Sequence, residues 1–280
     1  MMKTCSQVLA DAAQRAVLSL ADESRAGIVG FILKQQQADG GFRGRSSASD
    51  LYYTYFAVQA LTALGEPLPV VALSKFLEKQ RRGTIADLVN LACLACVSAR
   101  INPGRRDDDT LLLINRFRGA DGGFREKVDA GQSSAYACYL AVQAHEAQGV
   151  EMTAPGALMS ALKAMAPSVT PALAAKVMLL ACLGEVPDSS DAESIMKRAS
   201  RKGGFRAAAL APIPDLLSTA TALCALSVTR RPLETVRGSC TEFVDSLWND
   251  NGGFSGHWAD RTADCEYTYY ALLSLGLLAQ

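Results

Sequence analysis

Eight tyrosines fall in three clusters: Tyr52, Tyr53 and Tyr55; Tyr136 and Tyr139; Tyr267, Tyr269 and Tyr270. Every cluster lies in the opening turns of an apolar run. Aromatic rings around a cavity bury a long apolar ligand and attract a cation to their faces. Tyr52, Tyr53, Tyr136 and Tyr139 are therefore candidate ligand-binding residues; packing between helices is the competing reading. Acids mark the same ends of the same runs. Asp50, Asp87, Asp215 and Asp264 each open an apolar run, and Asp129 precedes another. Asp is a favoured helix N-cap, so chemistry at Asp215 or Asp264 depends on their being gathered in one place.

Basic residues stand close by: Arg43 and Arg45, Arg125 and Lys127, Arg206, and Arg261 with His257. Helix N-termini pointing one way would add a positive field. Arg43, Arg125 and Arg206 are thus candidate ligands for a diphosphate, with solvated loop charge as the alternative. Asp107-Asp108-Asp109-Thr110 resembles a terpenoid cyclase acid motif, but Arg106 stands where its first Asp should be. The triplet is expected to be a charge cluster at the start of an outer helix.

These groups are positioned by a repeat. Gly-Gly-Phe occurs at Gly40-Gly41-Phe42, Gly122-Gly123-Phe124, Gly203-Gly204-Phe205 and Gly252-Gly253-Phe254. A recurrent turn between apolar stretches marks repeated supersecondary units. The runs at Leu51–Leu64, Leu88–Ala99, Ser134–Ala144, Ala172–Leu183, Leu216–Val228 and Glu266–Leu278 are apolar on nearly every side, as buried helices are. The alternate stretches, Arg25–Gln37, Val70–Gln80, Asp108–Phe117, Gly156–Met165, Asp191–Ser200 and Leu233–Trp248, read as amphipathic outer helices. Inner helices should start near residues 50, 87, 132, 171, 215 and 264.

Short links make successive helices antiparallel neighbours. Inner helices apolar all round fit a closed ring better than an open superhelix with exposed ends. The expected fold is all-α, an α/α toroid of six hairpins over residues 1–280 as one domain, with residues 1–22 an added N-terminal helix.

Lys plus Arg balances Asp plus Glu at 28 each, which argues against nucleic acid as a partner. No run is long and apolar enough to span a membrane. The eight cysteines mostly sit inside helical runs, a pattern of buried small hydrophobes in a reducing, cytoplasmic setting. Cys93 and Cys96 form a CxxC with no second pair nearby, and are expected in the core.

The segments GGFRGRSSASDLYYTYFAVQALTALG and GGFSGHWADRTADCEYTYYALLSLG resemble the prenyltransferase and squalene-cyclase repeat, most of all the β subunit of protein prenyltransferases. The resemblance implies a toroid whose cavity holds an isoprenoid diphosphate or other long apolar lipid, a transferase activity on an allylic diphosphate, and a protein partner subunit. A lipid-binding scaffold and a terpene-cyclase-like enzyme with Asp50 or Asp264 as its acid are the alternatives. The family's zinc ligands fall on Asp215, Leu217 and Tyr267. Only the first is a usual ligand, so no metal or other cofactor is expected, with Cys265, Glu266 and His257 as substitutes if zinc binds. Asp215, Asp264 and Tyr267 are the candidate catalytic residues.

Overall fold

The computed structural model describes residues 3–279. Helix α1 (Cys5–Arg15) leads, through a 3-10 turn, into six helical hairpins. The first members of the pairs are α2 (Asp22–Lys34), α4 (Val70–Arg82), α6 (Asp108–Asn115), α8 (Pro155–Ala164), α10 (Ser189–Met196) and α12 (Glu234–Asp245). The second members are α3 (Leu51–Ala63), α5 (Leu88–Ile101), α7 (Ala135–Ala147), α9 (Thr170–Cys182), α11 (Leu216–Val228) and α13 (Cys265–Leu278). The second set packs side by side in chain order, and α13 returns to α3. The result is an α/α toroid: a closed inner ring, not an open superhelix. The six inner helices start within three residues of the positions expected from the repeat.

The two rings differ as their sequences require. Helix α4 buries Leu73, Phe76 and Leu77 and ends on Lys79, Arg81 and Arg82, so one face packs inward and the rest is solvated. Helix α3 buries residues all round, from Leu51 to Ala63, because outer helices flank it on one side and the cavity on the other.

Each Gly-Gly-Phe turn joins an outer helix to its inner partner. All four phenylalanines are buried. The Phe42, Phe205 and Phe254 amides donate to the hydroxyls of Thr54, Thr219 and Thr268. Those hydroxyls donate in turn to the carbonyls of Asp50, Asp215 and Asp264. In the remaining copy the Phe124 amide faces Cys138 Sγ at 3.2 Å. The three Asp side chains accept from the amides of Tyr53, Ser218 and Tyr267. One Asp-x-x-x-Thr pattern thus caps the helix and fastens the turn to it.

Three of these turns also open short antiparallel ribbons that a purely helical reading misses. They are β1 (Phe42–Arg43) with β2 (Ser49–Asp50), β3 (Phe205–Arg206) with β4 (Pro214–Asp215), and β5 (Phe254–His257) with β6 (Asp260–Asp264).

The first glycine of each copy has φ between 85° and 92°, a region open to Gly without penalty. It also touches an outer helix. A Cβ at Gly40 would meet the Ala72 carbonyl of α4 at 2.0 Å, and one at Gly203 the Ser239 carbonyl of α12 at 2.0 Å. A Cβ at Gly252 would meet the Gly27 carbonyl of α2 at 2.2 Å. Each turn therefore leans on the next outer helix, and the last leans on the first and closes the outer ring.

Helix α1 lies across the end where the inner helices finish, against α3, α7, α9 and α13. Its N-terminus is held by Glu146 of α7, whose carboxylate accepts from the Cys5 and Ser6 amides and the Ser6 hydroxyl. A carboxylate at a helix N-terminus is favoured by the helix dipole.

Candidate functional site

The inner ring encloses a narrow cavity walled by residues of all six inner helices and sealed below by Leu9 of α1. Its volume is about 90 Å³. The side chains already crowd it. Tyr52, Tyr136 and Tyr139 line it as the sequence leads one to expect, joined by Tyr55, Tyr269 and Tyr270. Phe56 stands at the centre of this wall, 4.9 Å from the Tyr52 ring and 5.3 Å from the Tyr270 ring between centroids. The Tyr52 pair is edge-on, a favoured aromatic geometry, and the Tyr270 pair is tilted. Burial pushes the Tyr52, Tyr136 and Tyr139 hydroxyls well above their usual pKa, so all three are neutral.

Behind the Tyr52 hydroxyl, and not itself among the residues that line the cavity, sits Glu266, in the first turn of α13 and only 9% exposed. The Tyr52 hydroxyl donates to its Oε1 at 2.7 Å. Burial pushes the Glu266 carboxyl up to about 7; the Tyr52 bond and the Arg45 charge oppose that rise, and Asp264 adds to it. Its protonated form therefore persists well above the ordinary carboxyl range. This is the group that the sequence reading missed as an acid, weighing it only as a substitute zinc ligand. The available signal was an acidic side chain inside an otherwise apolar inner helix. Only Glu146 and Glu266 fit that description, and Glu146 is taken by α1.

Beside Glu266 lies an ion-pair cluster. Arg45 bonds Asp264 at 3.2 Å and Asp260 at 2.7 Å, and its guanidinium lies 5.6 Å from the Tyr267 ring centre. Asp264 caps α13 by accepting from the Tyr267 amide and is held by Arg45. Desolvation raises its pKa, and those two bonds oppose the rise. The rings of Tyr53 and Tyr267 do not line the cavity. They lie on Gly44 and Gly256, where a Cβ would overlap them, and burial pushes each hydroxyl up to about 12. Burial also raises the Asp50 and Asp215 carboxyls.

The arginines chosen as diphosphate ligands point elsewhere. Arg43 bonds the Gln35 side chain, Arg125 the carbonyls of Ala130 and Arg118, and Arg206 the carbonyls of Lys197 and Arg198. Each reaches back to the end of the preceding outer helix, where unpaired carbonyls favour a cation. None of the three lines the cavity.

The residues at the family's zinc positions do not fit the metal. Both Asp215 oxygens accept from Ser218, Leu217 is part of the apolar wall, and Tyr267 covers Gly256. Among the described residues no group of His, Cys, Asp and Glu is placed to hold a metal ion. Asp107 caps α6 and pairs with Arg81, and Asp108 pairs with Arg106. Asp107 and Asp108 are thus engaged, and none of the triplet lines the central cavity. All eight cysteines are free. No helix among the described residues is long and apolar enough to cross a membrane.

The family model described as the prenyltransferase alpha-alpha toroid domain matches residues 7–84 and 173–280, about two thirds of the chain. No curated protein sequence matches significantly. Among solved structures, the type II terpene cyclase MstE from Scytonema is similar. A variant bound to geranylgeranyl dihydroxybenzoate superposes with a TM-score of 0.67 at 15% identity, covering 95% of this chain and 98% of that one. The ligand-free enzyme gives 0.63 at 15% identity, covering 95% and 98%. The expected closest likeness to protein prenyltransferase β subunits is thereby corrected. The similar structures are of a type II terpene cyclase, and Leu217 and Tyr267 stand where the β subunit has zinc ligands. At this identity the likeness is one of fold. The chain belongs to the prenyltransferase alpha-alpha toroid domain family.

Proposed function

We propose that this protein binds a prenyl chain in its tyrosine-lined cavity and isomerises it by protonation, as a terpene-cyclase-like enzyme. One observation carries the reading: Glu266, a protonatable carboxyl in the neutral range, stands at the head of an aromatic wall and is hydrogen-bonded to one of its rings. A general acid works best when its pKa lies near the working pH.

The chemistry follows from the residues. The Glu266 proton passes to an alkene carbon, and the π electrons form the new C–H bond. A tertiary carbocation remains. The carboxylate left behind is stabilised by the Tyr52 hydroxyl and by the Arg45 charge. The faces of Tyr52, Phe56, Tyr269 and Tyr270 attract the cation, and their bulk excludes water that would quench it. A neighbouring alkene then attacks the cation and closes a ring. Loss of a proton from carbon to solvent leaves a new alkene and ends the reaction, and Glu266 is reprotonated from solvent. The product is an isomer of the substrate, so no co-reactant is consumed. Asp50 and Asp264, the acids named for a cyclase from the sequence, are N-caps at the ring's head, and Glu266 is preferred here because it is bonded to the aromatic wall.

MstE is seen with a geranylgeranyl dihydroxybenzoate as substrate, which supports a prenyl ligand here. The test is incubation with farnesyl and geranylgeranyl acids and alcohols in D₂O, followed by mass spectrometry. The expected product is a cyclic isomer carrying one deuterium on carbon. Binding without isomer or deuterium would leave a lipid-binding scaffold. No binding at all would sink both.

A further inference from the structure

Below the tyrosine wall, beside α1, lies a second hollow of about 250 Å³. It shares Leu9, Tyr55, Gln143 and Tyr269 with the central cavity, so the two adjoin through these side chains. Its character differs. Arg100, Gln59, Gln143 and Ser6 give it polar walls among apolar ones. Gln143 is 6% exposed, lines both spaces, and makes no side-chain hydrogen bond to another described residue. Its amide is therefore left to bond whatever fills the hollow. Arg100, in the last turn of α5, forms no ion pair with a described residue.

The two ends of the ring differ in their charged groups. At the head, Glu266 lies beside Asp264 and Asp260, which share Arg45, while Arg43, Arg125 and Arg206 are held on groups of the outer layer. At the α1 end Glu146 is spent on the start of α1, and Arg100 has no ion-pair partner among the described residues. An acid-rich head suits a cation and repels an anion. An apolar chain with one polar end gains most by leaving that end at the wetter, donor-rich hollow.

We propose that the hollow beside α1 is a head-group site. It takes the carboxylate of a prenyl acid, with Arg100 and the amides of Gln59 and Gln143 as donors, while the chain runs up the cavity towards Glu266. The proposal rests on the prenyl-binding reading above. Tyr52 and Gln59 lie seven residues apart on α3, about 10 Å at the helical rise. The ligand must separate its polar end from its reacting alkene by at least that span, so a farnesyl-length chain is the probe.

The experiment compares farnesoic acid with its methyl ester by titration calorimetry at low salt. The two have the same chain, and the ester has no charge. Wild type should bind the acid about tenfold more tightly, as expected of a charge-assisted bond. Arg100→Gln should weaken the acid about tenfold and so remove that preference. Arg100 is solvent-exposed, and an unchanged melting temperature would confirm the fold. Gln143→Leu should weaken both ligands. A preference that survives Arg100→Gln, or none in wild type, would overturn the head-group site while leaving the prenyl-binding reading standing. Failure of wild type to bind either ligand would overturn both.

Discussion

The Tyr52 hydroxyl donates to Glu266 across 2.7 Å, and that bond ties the first inner helix to the last at the seam where the ring closes. It also sets the acid. Glu266 titrates near 7, against an ordinary value of 4.5. A folded-state pKa above the unfolded one means that the folded protein holds the proton more tightly. The resulting stability is fully present below about pH 4.5 and is lost as pH rises through about 7, in total up to about 3 kcal/mol. Glu266→Gln keeps a neutral partner for Tyr52 and cannot ionise. It should match wild type near pH 4.5, be the more stable protein at pH 8 by denaturant unfolding, and form no isomer at any pH. An unfolding difference that does not change with pH would remove the raised pKa from the argument.

The zinc positions yield a second prediction. Asp215 has both oxygens occupied by Ser218, and Leu217 and Tyr267 offer no usual ligand. Treatment with a chelator should leave the melting temperature and any isomerase activity unchanged. Asp215→Ala should cost about 1 kcal/mol as a lost helix cap without altering metal content. One zinc per chain, lost with Asp215, would contradict this.

The architecture was legible because it repeats. Four Gly-Gly-Phe turns, with buried and amphipathic runs alternating between them, specify hairpins, and apolarity all round the inner helices specifies a ring. The ribbons after three of the turns were not legible. Phe42–Arg43 and Ser49–Asp50 are two residues each, too short for alternation to show. The site was half legible. Tyr52, Tyr136 and Tyr139 face the cavity, but Tyr53 and Tyr267 lie one residue beyond Tyr52 and Glu266 on their helices and so turn onto glycines instead. Helical phase decides this, at about 100° per residue. The arginines were not resolved for a different reason. An Arg after a turn reads either as a diphosphate ligand or as loop charge, and nothing in the sequence shows that Arg125 and Arg206 reach back to carbonyls of the outer layer.

Ring closure should be fragile at one glycine. Gly252 has φ 92°, and a Cβ there would lie 2.2 Å from the Gly27 carbonyl. Gly252→Ala therefore meets both backbone strain and a backbone clash, and should cost about 3 kcal/mol or more. Gly30→Ala is the control. That glycine lies within α2 with nothing within 4 Å of a Cβ, so the change should stabilise by about 0.5–1 kcal/mol. Chemical denaturation of both variants is the measurement, and equal effects would refute the closure argument.

Helix α1 should be needed to seal the ring. Leu9 is 7% exposed and lines the floor of the central cavity. Leu9→Ala should destabilise by about 2–5 kcal/mol and widen the passage to the hollow beside α1. Glu146→Gln should loosen the start of α1, since an uncharged amide gives up the attraction of the helix dipole. Hydrogen exchange at Cys5 and Ser6 should quicken in Glu146→Gln and stay slow in a variant of exposed Glu151. Equal exchange would mean that α1 is held by its apolar face alone.

Tyr52→Phe separates the ring from the hydroxyl. The phenyl group keeps its place in the wall, 4.9 Å from Phe56, so prenyl binding should change little. The lost hydroxyl acts on Glu266 alone. Its hydrogen bond lowers the Glu266 pKa against the rise imposed by burial, because it favours the ionised carboxylate. Without it, the pKa should climb further above 7. The protonated fraction then persists to higher pH, and the alkaline limb of the pH–rate profile should move up. The maximal rate should fall at the same time, since the carboxylate formed on proton transfer has lost its donor. A ¹³C titration of the Glu266 carboxyl reads the pKa directly, and the pH–rate profile reads its consequence. If the carboxyl titrates as in wild type and the profile keeps its place, Tyr52 is only a packing residue and the acid lies elsewhere.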